Sequence, residues 1–128
     1  MRTDQPAQTI DQTAKPQLLK SVDLTSIDPS WFGKVEGREI GTQATILFFS
    51  TEKIGDGPPL HTHEYDELFL IGSGRARFTV GDTNFVAERG DVVLGPAQIP
   101  HKFENLGPEP FQTTDIHLSD HFEQIELQ

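Results

Sequence analysis

The sequence contains no cysteine, and this absence narrows the function from the start. Without thiols the chain has no disulfides, no cysteine-ligated zinc or iron–sulfur site and no cysteine nucleophile. The absence also fits a reducing compartment. Residues 1–6 are polar and lack the apolar core of a signal peptide. We therefore expect a cytoplasmic protein.

Basic residues are scarce as well. The chain has 10 Lys and Arg against 20 Asp and Glu, which gives a formal net charge of -10. So acidic a surface is a poor partner for nucleic-acid phosphates and for anionic membrane surfaces. No apolar run approaches the length of a membrane span. We expect neither a nucleic acid nor a membrane as partner.

Helical patterns are missing after residue 35, and short β segments separated by Gly and Pro take their place. Residues 1–17 carry no apolar periodicity and are predicted to be a flexible N-terminal arm, with a single domain over residues 18–128. Residues 18–24 are its first predicted strand, and residues 120–125 are predicted to form a closing helical turn. Residues 26–32 are predicted to form a turn, with Trp31 and Phe32 in the core; a platform for a ligand is the alternative for these two residues. The later strands are predicted at residues 42–50, 68–71, 75–80, 84–87, 91–94, 102–105 and 111–118. Such a series predicts an all-β barrel or sandwich.

One segment combines two histidines with a carboxylate. On a strand, His61 and His63 point to the same face, with Cα atoms roughly 6.5 Å apart, so two imidazoles can converge on one ion. The preceding Pro58 and Pro59 favour extended backbone over helix. Glu67 begins the next apolar run and offers a third ligand. A pair of surface histidines with a solvated glutamate is the alternative, because His-x-His alone is a weak signal.

A second segment, residues 90–105, carries His101 at the head of a strand, with Phe103 and Asn105 on the same face. A lone histidine in a core strand is more often structural than a metal ligand. His101 becomes a ligand candidate only if this segment lies beside the first.

Together the two segments resemble the motifs of the cupin superfamily. The first motif, G-x5-H-x-H-x3-E-x6-G, is matched at Gly55, His61, His63, Glu67 and Gly74. The second, G-x5-P-x-G-x2-H-x3-N, is matched at Gly90, Pro96, His101 and Asn105. One position departs from it: Gln98 stands where the family has glycine. We expect the turn to tolerate this glutamine with some strain, and we expect the glutamine to alter the mouth of the pocket.

The resemblance implies a cupin-type, jelly-roll-like β-barrel of two antiparallel sheets in a single domain. It also implies that His61, His63, Glu67 and His101 bind one divalent transition metal, and that the protein is a homodimer. Fe, Mn, Ni, Zn, Co and Cu all suit three imidazoles and a carboxylate, and affinity order does not choose among them.

Two further residues are candidates for catalysis. Alternation places His117 with Asp115 on the face opposite Ile116 and Leu118. If that face is internal, His117 supports a ligand or acts as a general acid or base; otherwise it is a surface histidine. Tyr65 is a candidate for orienting substrate, or else a loop aromatic.

Two functions remain open on the sequence. The first is a small metalloenzyme acting on a small organic molecule, either a dioxygenase or an isomerase, lyase or decarboxylase of a sugar acid or organic acid. The second is a non-enzymatic module that binds or senses a small molecule through its metal.

Overall fold

The computed structural model describes residues 15–24 and 31–128 of the chain. This part contains one helical turn, Ser21–Leu24, and one 3-10 turn, Gly37–Glu39. The strands are β1 Gly33–Val35, β2 Thr45–Thr51, β3 His61–Thr62, β4 Glu67–Ser73, β5 Arg75–Val80, β6 Thr83–Glu88, β7 Val92–Gly95, β8 His101–Asn105, β9 Phe111–His117 and β10 Ile125–Glu126.

The strands form two antiparallel sheets of five strands each. Sheet I has the order β1-β2-β9-β4-β7, and sheet II has the order β10-β3-β8-β5-β6. The inward side chains of both sheets share one apolar core, in which Phe69 of sheet I packs against Phe78 and Phe103 of sheet II. Two layers closing over one core are the all-β fold class that the sequence predicted.

Each strand predicted from residue 42 onward is present, with ends that differ by a few residues. The strand predicted at residues 18–24 is wrong, because the structure has irregular backbone followed by the helical turn Ser21–Leu24. The helical turn predicted at residues 120–125 is also wrong, since this segment is non-helical and leads into β10.

Trp31 and Phe32, the two aromatic residues before β1, differ in burial. Trp31 is half-buried and packs edge-on against Phe48 with ring centroids 4.8 Å apart. Phe32 is 56% exposed, so its predicted place in the core is wrong. The predicted arm falls mostly in residues 1–14, and much of the predicted turn in residues 25–30, which lie outside the described residues.

The outer faces of the two sheets differ in chemistry. On sheet I, two rows of laterally paired residues run across β2, β9, β4 and β7 without a charged side chain: Ile46, Ile116, Leu68, Leu94 and Phe48, Thr114, Leu70, Val92. On sheet II, the outward positions include Arg75, Arg77, Glu88, Lys102 and Glu104. Only sheet II thus has the polar surface typical of a solvent-facing sheet.

Among residues 15–24 and 31–128, no helix is both long and apolar enough to cross a membrane.

Candidate metal centre

The two sheets bring four candidate ligands together between them. His61 of β3 lies opposite His101 of β8 in sheet II, and His63 follows β3 directly. Glu67 opens β4 in sheet I. One ligand atom from each of the four residues lies within 4.8 Å of the other three, and all four residues are buried.

The predicted alternation around His61 and His63 is present. Both side chains are buried while Thr62 between them is half-buried, and the two imidazole centroids are 4.9 Å apart. Gly74 at the end of the first motif has φ +70°, and a Cβ there would lie 2.5 Å from the Pro110 carbonyl oxygen. Glycine is therefore required where the first motif turns into β5.

Backbone carbonyls fix which nitrogen of each imidazole faces the cluster. Nδ1 of His61 lies 2.7 Å from the Pro59 oxygen, and Nδ1 of His101 lies 3.0 Å from the Ile99 oxygen. Nδ1 of His63 contacts the carbonyl oxygen of Glu123. A carbonyl only accepts, so Nδ1 of each neutral ring carries the proton and Nε2 presents a lone pair inward. Metal-ligating histidines are commonly held in this way.

The inward lone pairs meet a carboxylate oxygen. Nε2 of His63 and Nε2 of His101 lie 3.0 and 3.1 Å from Oε1 of Glu67. Lone pairs at this distance repel each other unless a cation lies between them or the rings gain a proton. Ligand atoms about 2.1 Å from one ion, at right angles around it, are themselves about 3.0 Å apart. The donor set therefore fits a divalent transition-metal ion.

The ionisation states agree with a ligand role. Burial lowers the pKa of His61 to about 4, which keeps the ring neutral. Burial alone raises the pKa of the Glu67 carboxyl, but contacts with His101, His117 and His63 outweigh burial and hold that pKa below its usual range. The cluster thus contains an ionised carboxylate.

His117 is buried in the cluster and contacts the other oxygen of Glu67. It is the cross-strand partner of Glu67, and its Nε2 lies 2.9 Å from Oε2. Its Nδ1 lies 2.8 Å from the Tyr65 hydroxyl. Because the Glu123 carbonyl oxygen accepts the phenol proton of Tyr65, Nδ1–H of a neutral His117 ring donates to the Tyr65 hydroxyl, and Nε2 faces Oε2 of Glu67.

The C-terminal segment closes this side of the cluster through its backbone. The Tyr65 hydroxyl lies 2.8 Å from the Glu123 carbonyl oxygen and accepts from the Glu123 N–H at 3.0 Å. Burial raises the pKa of Tyr65 to about 12, so the phenol keeps its proton. The ring of Phe122 lies over His117, with centroids 5.5 Å apart.

A cavity of about 450 Å³ opens onto the cluster. His61, Glu67 and His117 line it, and six of the other thirteen lining residues are phenylalanines. Asp115 also lines it and is buried, with Oδ1 accepting from Thr113 Oγ1 at 2.8 Å. Burial raises the pKa of Asp115 well above its usual range, and the nearby Glu67 charge raises it further. This shift favours an uncharged acid.

The other motif residues shape the turns. Gln98, the departure from the second motif, has φ +66° and donates from its backbone N–H to the His63 oxygen at 2.6 Å. It is exposed and does not line the cavity. Asn105 is fully buried, and its amide donates to the Lys53 oxygen while its Oδ1 accepts from Gly107 N. Its role is to join the loop before the first motif to β8.

Three contributors to the site were missed in the sequence: Lys34, Phe122 and the Glu123 backbone. Lys34 and Phe122 reach the cavity only through tertiary packing of β1 and the C-terminal segment. Backbone contacts carry no residue-type signal, so no pattern in the sequence identifies them.

Comparison with known proteins places these features in a family. A family model described as a cupin domain matches residues 48–117. An uncharacterized protein of Methanocaldococcus jannaschii is 33% identical over 60 residues, which cover 46% of this chain and 48% of that protein. A gentisate 1,2-dioxygenase of a Ralstonia species is 27% identical over 124 residues, which cover 90% of this chain and 35% of that enzyme.

Solved structures show the same fold. Oxalate decarboxylase from Bacillus subtilis at pH 4.6 aligns with a TM-score of 0.68 and 26% identity, over 74% of this chain and 27% of that chain. A structure of the same enzyme described for its Mn(II) centres aligns with a TM-score of 0.70 and 24% identity, over 84% of this chain and 31% of that chain.

The matched regions span half or less of the length of these relatives. The family model nevertheless covers more than half of this chain, including the first motif and His101 of the second. With two antiparallel sheets and a buried cluster of three histidines and a glutamate at the motif positions, this chain belongs to the cupin family.

Proposed function

We propose that this chain binds one divalent transition-metal ion through His61, His63, Glu67 and His101 and works as a small metalloenzyme. One observation carries the proposal: the Nε2 atoms of His63 and His101 face the same oxygen of Glu67 at 3.0 and 3.1 Å, while carbonyls hold their Nδ1 protons. A cation between these atoms removes the repulsion of their lone pairs and satisfies all of them.

The cavity beside the cluster supports an enzymatic role. When bound, the ion supplies Lewis-acid chemistry, or dioxygen chemistry if it is redox-active. The apolar walls bind and orient a small organic substrate and exclude water around it. His117 and Tyr65 act as positioning residues in this proposal, because Nε2 of His117 lies 2.9 Å from Oε2 of Glu67 and its Nδ1 contacts the Tyr65 hydroxyl. The other oxygen, Oε1, faces His63 and His101.

The relatives support two reaction classes. Similarity to a gentisate 1,2-dioxygenase supports dioxygenation, and similarity to oxalate decarboxylase supports decarboxylation. The Mn(II) centres named for the Bacillus subtilis enzyme make manganese one of the first ions to test, beside iron, nickel, zinc, cobalt and copper. Isomerase and lyase reactions of sugar acids or organic acids belong on the same substrate panel, because a metal can chelate such substrates.

Elemental analysis of protein purified without added metal tests the ligand assignment. We expect about one equivalent of a transition metal per chain. The variants His61→Ala and His101→Ala should lose most of it, whereas His121→Ala, outside the cluster, should keep it. Full metal occupancy in His61→Ala and His101→Ala would show that the assignment is wrong.

Oxygen-uptake and carbon-dioxide-release assays on protein loaded with each metal test the catalytic role. Turnover of an organic acid or phenol supports a metalloenzyme. Metal-dependent binding of these compounds without turnover, under every metal, would instead support a non-enzymatic binding or sensing module.

We also propose that the protein is a homodimer in which a second copy covers the outer face of sheet I. Leu70, Val92 and Leu94 are 38%, 64% and 51% exposed on that face, in rows without charge. Contiguous exposed apolar surface of this kind is typical of protein–protein interfaces. A two-fold axis would bring the same residues of both copies together.

A further inference from the structure

The wall of the cavity contains several aromatic rings, which restrict the shape and polarity of the ligand that it can bind. Phe49 and Phe103 pack edge-to-face with centroids 5.4 Å apart, and Phe69 lies 6.0 Å from Phe103. All three rings line the cavity, together with Phe122 and with Phe32, which is 56% exposed. Such walls favour a flat apolar body that can stack or pack edge-on.

One positive charge faces this cavity. Lys34 lies opposite Leu47 in the register of β1 and β2, and Leu47 lies opposite Asp115, so the three share the inner face of sheet I. Lys34, an exposed residue, is the one lysine or arginine among the described residues that line the cavity. Its Nζ lies 5.0 Å from the centroid of the Phe122 ring.

The carboxylate of Glu36, two residues after Lys34, already accepts hydrogen bonds from other groups. Glu36 accepts from Arg38 Nη2 at 3.1 Å through Oε1 and from the Phe122 N–H at 2.7 Å through Oε2. In the part of the chain that the structure describes, Lys34 has no carboxylate within 4.0 Å. Among the described residues its ammonium therefore has no ion-pair partner, and it can pair with an anionic group in the cavity.

We propose that the cavity binds a ring-containing organic monoanion. The ring lies between Phe49, Phe69 and Phe103, the anionic group pairs with Lys34, and an oxygen substituent faces the metal centre. The last contact rests on the proposed function; the ring and charge contacts depend only on the chain's own residues.

A cavity with these walls and this charge differs from one that suits a small dianion. A ligand such as oxalate has no apolar body, so it would leave the phenyl walls in contact with water. A neutral ring would fill the walls but leave Lys34 unpaired. Only a ligand that carries both features uses the whole cavity.

Binding of three probes tests the proposal: 4-hydroxybenzoate, its uncharged counterpart 4-hydroxybenzamide, and oxalate. Each is titrated by NMR or calorimetry into zinc-loaded protein, where redox turnover is absent, and into metal-free protein. We expect 4-hydroxybenzoate to bind the zinc-loaded protein at least about tenfold more tightly than either other probe, as one charge-assisted contact allows.

Two lysine variants localise the charge effect. Lys34→Gln should weaken binding of 4-hydroxybenzoate about tenfold and remove its preference over the amide. Lys102→Gln, the same charge change on the outer face of sheet II, should leave both unchanged. Elemental analysis of both variants should show unchanged metal content.

Three results would overturn the proposal: oxalate binding as tightly as 4-hydroxybenzoate, equal effects of Lys34→Gln and Lys102→Gln, or no binding of 4-hydroxybenzoate to either form. Failure of the metal assignment is a separate result. In that case the protein contains no transition metal, yet the preference for a charged ring remains measurable in the metal-free form.

Discussion

At position 98 the backbone takes a left-handed conformation, φ +66°, with a glutamine side chain. A Cβ in that region costs roughly 1–2 kcal/mol, whereas glycine adopts it freely. We predict that Gln98→Gly raises the free energy of unfolding by about 0.5–1 kcal/mol after the greater unfolded-state entropy of glycine is subtracted. Urea denaturation measures the change.

The matched control for this position is Gln98→Ala. Alanine keeps the Cβ and its strain, so it should bring no such gain. A Gln98→Gly variant less stable than the parent would contradict the strain argument and give the glutamine side chain a stabilising role.

Removal of the Tyr65 hydroxyl should have a measurable effect on metal affinity. Tyr65→Phe removes the group that holds Nδ1 of His117, and with it the orientation of His117 toward Oε2 of Glu67. Loss of such a supporting contact typically weakens metal binding about 10- to 100-fold, and we expect the lower part of this range. Competition with a chelator measures the affinity.

Phe122→Leu serves as the comparison, because it trims the neighbouring aromatic ring without touching the hydroxyl. Equal metal affinities of Tyr65→Phe and the parent would show that Tyr65 does not support the ligands.

The local sequence predicts only those parts of the site that residues close together along the chain form. His61 and His63 follow from a two-residue period on extended backbone, and alternation placed His117 on the same face as Asp115. That His117 lies opposite Glu67 depends on the register of β4 and β9, which brings together residues 50 positions apart. The metal-ligand roles of Glu67 and His101 depend in the same way on contacts between distant segments, so the sequence predicts them through the family resemblance and not through local geometry.

Among the strands, β8 is joined to the loop before the first motif by the side chain of Asn105. Asn105 satisfies the Lys53 carbonyl and the Gly107 N–H, and the backbone of Asn105 pairs with Gly55 and Asp56. Asn105→Ala leaves two backbone groups without these partners. We predict a loss of about 1–3 kcal/mol in unfolding free energy, since the Gly107 N–H is buried and an unsatisfied buried group costs about that much.

Asn84→Ala is the control, because Asn84 is exposed and accepts only from Thr79 Oγ1 in a surface contact. Its effect should stay within about 0.5 kcal/mol. Similar losses in the two variants would contradict the structural role of Asn105.

Elements with several alternating residues were predicted correctly, and short ones were not. The segment Arg75–Val80 alternates over its whole length, so only a strand buries one of its faces. Residues 18–24 hold four apolar residues without strict alternation, and their spacing fits a helical turn as well as a strand. The C-terminal segment is positioned by contacts with Glu36, Leu60 and Tyr65, and none of these is near it in sequence.

For the whole molecule, the uncharged outer face of sheet I predicts a dimer that one charge can disrupt. Val92→Lys places an ammonium in that face, where two copies would bring two such charges together across the axis. We expect light scattering to show a shift from dimer to monomer. Val86→Lys, at a 44% exposed position on the outer face of sheet II, should remain dimeric. A monomeric parent protein would contradict the interface.

Metal binding should also stabilise the molecule as a whole, because its ligands come from both sheets and converge only in the folded state. At a free metal concentration 100 times the dissociation constant, the gain in unfolding free energy is about 2.7 kcal/mol. Thermal denaturation should show a higher midpoint with metal and reversal by a chelator. His61→Ala should remove most of the difference, and an equal shift in that variant would place the stabilising ion elsewhere.

The Glu123 backbone, which meets His63 through its carbonyl and Tyr65 through both its polar groups, has a consequence for the divergence of this protein. Main-chain atoms are common to all residues, so nearly any amino acid at this position preserves the contacts, and only proline lacks the N–H. Position 123 can therefore vary in sequence without loss of these contacts to the site. Comparison of related sequences would rate this position as unimportant, although it supports two residues of the centre.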